Sequence, residues 1–265
     1  MRADGPQTTL HSRTDTAPFE GSHCLNCGAD LTGKYCPDCG QKRQGRLGRR
    51  DLTDLAWQNL RRFEFSLFRS MAQIALAPGK VARHYVLGAR GRYLHPFKLL
   101  LTCIVFLLIV VAQTNYLTAS TKELSKAVEL LQSWSKWSFS LGVFAVWIAS
   151  MAVFWRWHPF NAVEHLVLAA YAHSVVLMAN MVNIAPLMLT DDPATVIAHR
   201  TAAKGYMTWV EAAIVVWAYV QFFQINLRRQ WWWAALGAVA FVIAKKALIA
   251  VYARAIVHIV MRQLA

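Results

Sequence analysis

Four cysteines near the amino terminus are arranged as two CxxC pairs. They are Cys24, Cys27, Cys36 and Cys39. Four thiolates at this spacing favour tetrahedral coordination of Zn²⁺ in a closed structural site. A glycine, Gly28 or Gly40, directly follows each pair, where the chain must turn tightly around the sulfurs. We therefore predict a zinc ribbon over residues 23–43, with iron as the alternative metal because the same four ligands also suit it.

Seven polar side chains interrupt the long apolar segments in the second half of the chain. They are His165, His173, Asn180, Asn183, Glu211, Lys245 and Lys246. At about 100° per residue, the first four fall within roughly a quarter of one helix surface, and we expect Glu211 to pair with one of the two lysines. Ionisable groups are costly inside a bilayer, so these residues form a candidate intramembrane site. Polar contacts that only join neighbouring helices explain the same pattern, and we favour that interpretation.

The elements that carry these residues are predicted to be membrane helices. Apolar residues make up 56% of the chain and charged residues 16%, while the mean hydropathy is +0.31 and the net charge is +14. A helix needs about 20 apolar residues to cross a hydrocarbon core of about 30 Å. Five segments approach that length: 99–117, 139–155, 162–187, 207–225 and 232–252. The fifth contains both lysines, and we predict one long helix there because either half alone would be too short to cross.

The predicted fold is an all-α membrane protein of about five transmembrane helices with a small amino-terminal zinc-ribbon module. Its parts are a disordered leader (1–22), the ribbon (23–43), a basic amphipathic juxtamembrane segment (44–98) and the membrane domain (99–265). Basic loops resist translocation, so the basic stretch before the first span predicts a cytoplasmic amino terminus. A reducing cytoplasm disfavours a pair of disulfides in the ribbon. Four cysteine ligands also leave no open position for catalytic zinc.

The juxtamembrane segment has a pattern of its own. From residue 52 to 76, apolar residues recur at helical spacing with arginines between them, which predicts an amphipathic helix along the membrane surface. A helix packed against the bundle is the alternative. Pro78 ends this helix and Gly79 permits the turn. Arg90 and Arg92 are candidates for contacts with anionic lipid headgroups, although a plain positive-inside anchor is the favoured interpretation.

Several short motifs together resemble a bacterial membrane family catalogued as domain of unknown function 3667. They are CxxCG and CxxCGQ within residues 24–41, Pro78-Gly79, Tyr85, Gly88-Ala-Arg90, Arg92-Tyr93-Leu-His-Pro96 and Glu164-His165. The resemblance covers most of the chain from Cys24 onward. It implies a multi-pass protein of the bacterial inner membrane with a zinc ribbon, and it brings no established activity.

The motifs indicate binding rather than catalysis. Because we find no Ser-His-Asp arrangement, HExxH motif or phosphate loop in the sequence, we expect no enzyme activity. We expect a binding or scaffold protein whose ribbon docks an unidentified protein partner and whose basic collar contacts anionic headgroups of the lipid bilayer. Nucleic acid is not an expected partner, because the same charges already serve membrane topology. The alternative is a transporter or lipid-handling protein built on the intramembrane polar residues, which a water-sized cavity beside them would favour over a dry bundle.

Overall fold

The computed structural model describes residues 10–48, 67–114, 116, 139–190 and 192–264. In this part of the chain, α-helices carry the fold and the extended structure is limited to isolated bridges in the ribbon. The helices are α1 (Leu67–Leu76), α2 (Pro78–Val86), α3 (Pro96–Gln113), α4 (Leu141–Phe154), α5 (Ala162–Ile184), α6 (Pro193–Phe223) and α7 (Leu227–Leu264). The prediction of an all-α membrane protein is confirmed.

Within the described ranges, four helical stretches are long and apolar enough to cross a membrane. They are Arg90–Gln113, Ala162–Leu189, Pro193–Phe223 and Leu227–Arg262. The α4 helix is also apolar but has only 14 residues, which corresponds to about 21 Å of helix against a hydrocarbon core of about 30 Å. Four of the five predicted spans thus reach spanning length, and the second is shorter than predicted.

The α5 helix lies at the centre of the bundle. It packs against α2, α3, α4 and α6, whereas α7 packs against α4 and α6. A capping box begins α5: Asn161 Oδ1 accepts hydrogen bonds from the N–H groups of Val163 and Glu164, and Glu164 Oε2 accepts one from the N–H of Asn161. The polar start of this helix is therefore satisfied within the protein, and its apolar remainder forms the middle of the core.

Two helices differ in extent from the apolar segments that predicted them. The α6 helix begins at Pro193 rather than at residue 207, because Asp192 caps its first turn and proline suits the first helical position. Hydropathy alone misses this start, since the first turns of α6 are polar. The α7 helix runs past both lysines with its one non-helical residue at Gln230, so the prediction of a single long helix is confirmed.

The predicted surface helix falls largely outside the described residues, which include only its last part as α1. Ile74 of α1 is fully buried and α1 contacts α5, so this end packs against the bundle, as in the alternative interpretation. Pro78 ends α1 and begins α2. Gly79 does not form the predicted turn: it is helical, and a Cβ there would overlap the carbonyl oxygen of Ala218 in α6. Its small size allows α2 and α6 to approach closely.

Residues 10–22 make defined contacts instead of forming the predicted disordered leader. The guanidinium carbon of Arg13 lies 4.2 Å from the centroid of the Trp155 ring, and its Nη2 donates to the Trp155 carbonyl at 2.7 Å. Phe19 is buried. These contacts hold the segment against the end of α4, while the part of the leader before residue 10 lies outside the described residues.

Candidate metal centre and intramembrane cavity

The four ribbon thiols converge on one point. Their sulfur atoms all lie within 4.8 Å of one another. Cys24 Sγ is 3.6 Å from Cys39 Sγ, and Cys27 Sγ is 3.5 Å from Cys36 Sγ. Zn–S bonds of about 2.3 Å place tetrahedral sulfurs about 3.8 Å apart, so this donor set fits one tetrahedral metal ion. All four cysteines are free thiols, so the two disulfides that the sequence disfavoured are not formed.

Two equivalent knuckles present these thiols. In each knuckle the N–H of the first cysteine donates to a carbonyl further along the chain, at 2.7 Å for Cys24 and 2.9 Å for Cys36. The N–H of the glycine then donates back to the carbonyl of that cysteine, at 2.8 Å for Gly28 and 3.0 Å for Gly40. The φ angles of Gly28 and Gly40 are +83° and +68°. Both lie in the left-handed region that favours glycine, as the sequence predicted.

The ribbon is attached to the turn between α2 and α3. Gln41 Nε2 donates to the carbonyl of Gly88 at 2.8 Å, and Gln41 Oε1 accepts from the N–H of Gly91 at 2.6 Å. Leu25, from the other knuckle, packs on Gly88, whose φ is +107° and where a Cβ would overlap the leucine side chain. Glycine at position 88 therefore permits both the positive φ of the turn and the close approach of the ribbon.

Arg90 is buried beneath the chain that leaves the ribbon. Its Nη1 donates to Gln44 Oε1 at 2.6 Å and its Nη2 donates to the Gly45 carbonyl at 2.8 Å. The predicted contact of Arg90 with a lipid headgroup is therefore wrong, because its guanidinium group faces the protein. Arg92 is exposed and stays a candidate for such a contact.

A buried ion pair joins the same chain to α5. Arg46 Nε and Nη2 donate to the two carboxylate oxygens of Glu164, both at 2.9 Å. The remaining bonds of this guanidinium group go to the carbonyls of Ser12 at 2.6 Å, Asp15 at 3.1 Å and Pro159 at 2.6 Å. The side chains of Arg46 and Glu164 are 7% and 0% exposed. Such paired, parallel hydrogen bonds fix orientation as well as supplying energy.

The segment 41–47, which we call the strap, connects all of these contacts. Its last residue, Leu47, is 1% exposed within the core of the bundle. Asn161 Nδ2 donates to the Leu47 carbonyl at 3.1 Å. The strap therefore runs from the metal-binding knuckle at Gln41 to the amino terminus of α5.

His158 lies in the connection between α4 and α5, close to this end of the bundle. Its ring centroid is 4.8 Å from that of Phe223. Burial lowers the pKa of His158, and the nearby positive charge of Arg83 lowers this pKa further. The folded protein therefore favours the neutral imidazole at this position.

The seven intramembrane polar residues fall into two groups rather than one site. His165 Nδ1 lies 3.0 Å from Ser150 Oγ of α4, and His173 Nε2 lies 2.7 Å from the carbonyl of Phe139, just before α4. Both histidines are buried in contacts that join helices. The described part of α4 reaches only to the level of His173, so further along α5 the polar residues meet α6 instead.

The second group lines a cavity of about 270 Å³ between α5, α6 and α7. Its members among the predicted residues are Asn180, Asn183, Glu211, Lys245 and Lys246. Glu211 Oε2 accepts a hydrogen bond from the Lys245 ammonium group, and its Oε1 accepts one from Asn180 Nδ2 at 3.3 Å. Asn183 Oδ1 accepts from the hydroxyl of Tyr206. The predicted ion pair therefore involves Lys245, and it forms one wall of the cavity.

Comparison with known proteins places the turn that holds the ribbon in a known family segment. Residues 65–108 match the family described as Protein of unknown function (DUF3667). The resemblance to this family is confirmed over these residues, which include the motifs between Pro78 and Pro96. The cysteine motifs and Glu164-His165 lie outside the match. No curated protein and no solved structure matches the chain. The matched segment supplies Gly88 and Gly91, which contact the ribbon, and Arg90, which binds the strap at Gln44 and Gly45.

Sequence reasoning missed the strap. It assigned no role to Arg46 or Gln44, because both lie among other polar and basic residues, and the sequence does not show which of these side chains is buried. One local signal was present: Leu47 is the single large apolar residue between positions 41 and 50. An isolated leucine in a polar stretch indicates a segment that buries at least one side chain.

Proposed function

We propose that this protein is a membrane-anchored binding protein whose zinc ribbon docks a protein partner and whose helical bundle is a rigid base for that ribbon. The observation that carries the proposal is the buried pair of Arg46 and Glu164. Five hydrogen bonds donated by the Arg46 guanidinium group hold the strap in one place. A ribbon that only hung from a flexible tether would need no such attachment.

The metal in this proposal is Zn²⁺ with a structural role. Four thiolates would close its coordination shell, so the ion would cross-link the two knuckles and offer no position for a substrate. We therefore propose no enzymatic function for this centre. A small module with few buried apolar residues depends on its metal for folding.

The metal is tested on full-length protein purified without chelator. We expect one zinc per chain by elemental analysis and none in the Cys24→Ser/Cys36→Ser variant. The Cys103→Ser variant is the control, because Cys103 is buried in the bundle and should leave the zinc content unchanged. Finding iron, which would also give visible absorbance, would show that the metal is iron and not zinc. Finding no metal would contradict the proposed metal centre.

The proposed docking surface is the ribbon face around Tyr35. Tyr35 is 62% exposed, and Lys34 and Lys42 beside it are exposed as well. A large aromatic residue between two cations suits an acidic partner that also offers an apolar contact. The partner we propose is therefore an acidic protein segment.

Photocrosslinking tests this surface. A photoreactive residue at Tyr35 should give a discrete adduct in cells, and Lys34→Glu with Lys42→Glu should abolish it. Trp231 is a matched control position, because it is also 62% exposed but lies in α7. Equal adducts from both positions, or an adduct that survives the charge reversal, would contradict the docking proposal.

We also propose that the protein is multi-pass and that the ribbon faces the cytoplasm at a bacterial inner membrane. The excess of basic residues on the ribbon side of the bundle supports this orientation. Gly33 in the ribbon and Gly205 in α6 both have open space around them, so either position tolerates a cysteine. In intact cells, a membrane-impermeant maleimide should label Gly205→Cys and should label Gly33→Cys only after lysis. The reverse pattern would refute the orientation.

A second function, transport or handling of a polar or lipidic ligand, is favoured by the cavity between α5, α6 and α7. A bundle that served only as a base would be expected to pack without such a space. The cavity instead brings together amide, ammonium and carboxylate groups within the membrane domain.

A further inference from the structure

The cavity lies in the half of the membrane domain away from the ribbon. The end of α6 at Phe223 is on the ribbon side, where it contacts His158. At 1.5 Å per residue, Glu211 lies about 18 Å from that end along α6, and Lys204 lies about 28 Å from it. The cavity therefore extends from the interior of the bundle toward the far membrane surface.

The charges that line the cavity do not balance. Its lining includes three lysines, Lys204, Lys245 and Lys246, and one acidic residue, Glu211. Glu211 is already paired with Lys245. Within the described part of the chain, neither Lys204 nor Lys246 forms an ion pair with an acidic side chain. Among the described residues, Glu211 is thus the single carboxylate in a lining that also holds the Lys204 and Lys246 ammonium groups.

The volume and the lining of the cavity suit a lipid headgroup better than a whole lipid. Its volume of about 270 Å³ lies below the range of roughly 300–1,000 Å³ found for drug-sized ligands. Met207 and Val242 give it apolar walls, and Ile249 at its edge is 40% exposed. Ile243, on the neighbouring surface of α7, is 63% exposed. A polar group could enter while attached hydrocarbon chains stayed against the outer face of α7.

We propose that this cavity binds the phosphate group of an anionic amphiphile, with Lys204 and Lys246 as its contacts. This inference rests on the second proposed function, the handling of a ligand at the intramembrane polar residues. Lysine is a strong phosphate ligand because its ammonium group is a compact charge with three N–H donors. The Lys245 and Glu211 pair forms one wall of the site, and Asn183 and Thr208 add polar atoms to its lining.

The phosphate could belong to a lipid headgroup or be free in solution, and binding measurements separate these sources. The full-length protein is reconstituted in phosphatidylcholine nanodiscs, and binding of spin-labelled phosphatidic acid is measured by electron paramagnetic resonance. Inorganic phosphate is then added as a competitor. We expect saturable binding that Lys204→Gln/Lys246→Gln weakens at least tenfold and that Lys204→Arg/Lys246→Arg retains. Arg228→Gln/Arg229→Gln is the matched control, since it removes two exposed positive charges outside the cavity and should change binding less than twofold.

Each outcome decides the proposal. Displacement of the lipid by millimolar inorganic phosphate supports a site for free phosphate, and lysine-dependent binding without displacement supports a lipid headgroup. Equal binding by the wild-type protein and the Lys204→Gln/Lys246→Gln variant overturns the phosphate site. In that case the Thr208→Cys variant tests whether the cavity is accessible to any water-soluble ligand. Labelling of this cysteine by a water-soluble maleimide would leave the second function standing with another ligand, whereas no labelling would reject the cavity as a ligand site altogether.

Discussion

Replacing Arg46 with methionine should release the strap from the bundle. The substitution removes five hydrogen bonds and leaves the Glu164 carboxylate, which is 0% exposed, without its countercharge. Removing one partner of a buried ion pair costs about 3–5 kcal/mol. Since each 1.4 kcal/mol is about tenfold in an equilibrium constant, the population of the detached strap should rise by roughly 10² to 4 × 10³.

Hydrogen exchange measures this change directly. Amide exchange across a locally opening segment reports the free energy of that opening. Peptides that contain residues 41–48 should therefore exchange about 10² to 4 × 10³ times faster in Arg46→Met, while exchange in the middle of α5 stays slow. Zinc content should remain one per chain, because the ligands are not altered.

Two comparison variants make the interpretation specific. Arg43→Met removes an arginine from the same strap, but this side chain is exposed and donates a single bond to the Gly21 carbonyl. Its exchange rates should change less than about threefold, as expected for a surface substitution. The double variant Arg46→Met/Glu164→Met removes the stranded carboxylate and should recover part of the protection. Equal exchange in Arg46→Met and Arg43→Met would refute the role of the buried pair.

Three further predictions concern the bundle. Gly79→Ala should destabilise the protein by about 1–3 kcal/mol, seen as a lower thermal midpoint in detergent, because its Cβ would overlap the carbonyl oxygen of Ala218. Glu211→Gln should lower the yield of folded protein in size-exclusion chromatography by leaving Lys245 unpaired, and an added Lys245→Met should restore it. Lowering the pH through 6.5 should destabilise the wild type in part through His158, since a pKa below the unfolded value means that the unfolded chain binds more protons. The His158→Phe variant should lose stability less steeply over the same pH range.

Each of these predictions has an outcome that contradicts it. Gly205→Ala has open space around its new methyl group, so a Gly79→Ala variant as stable as Gly205→Ala would exclude the close contact. Failure of Lys245→Met to rescue Glu211→Gln would show that the pair does not determine folding. Identical pH profiles for the wild type and His158→Phe would exclude a contribution from this imidazole.

Local features of the sequence predicted much of the fold and the metal centre. The four thiols lie close along the chain, so ligand type and spacing alone indicated their convergence. Apolar runs likewise located the long helices, because burial in lipid demands a continuous apolar segment. The start of α6 was missed because its first turn depends on capping by Asp192 and on Pro193 rather than on hydropathy.

Long-range geometry set the limits of prediction. The partners Arg46 and Glu164 lie far apart in the sequence, and nothing in the local pattern distinguishes Arg46 from Arg43. Arg90 was assigned to the membrane surface because charge alone does not reveal which way a side chain points. His165 and Asn183 share a helix angle but meet different neighbours, since the neighbour depends on where α4 begins.

Both knuckles contribute to the junction beneath them. Leu25 comes from the first and Gln41 from the second, and both rest on the same short loop at Gly88. An ion bound by the four thiols would fix the distance between these two supports. Loss of that ion would therefore loosen the loop from both sides at once, a few residues before Pro96 begins the first long apolar helix. Metal binding in the ribbon would in this way affect the start of the first long apolar helix.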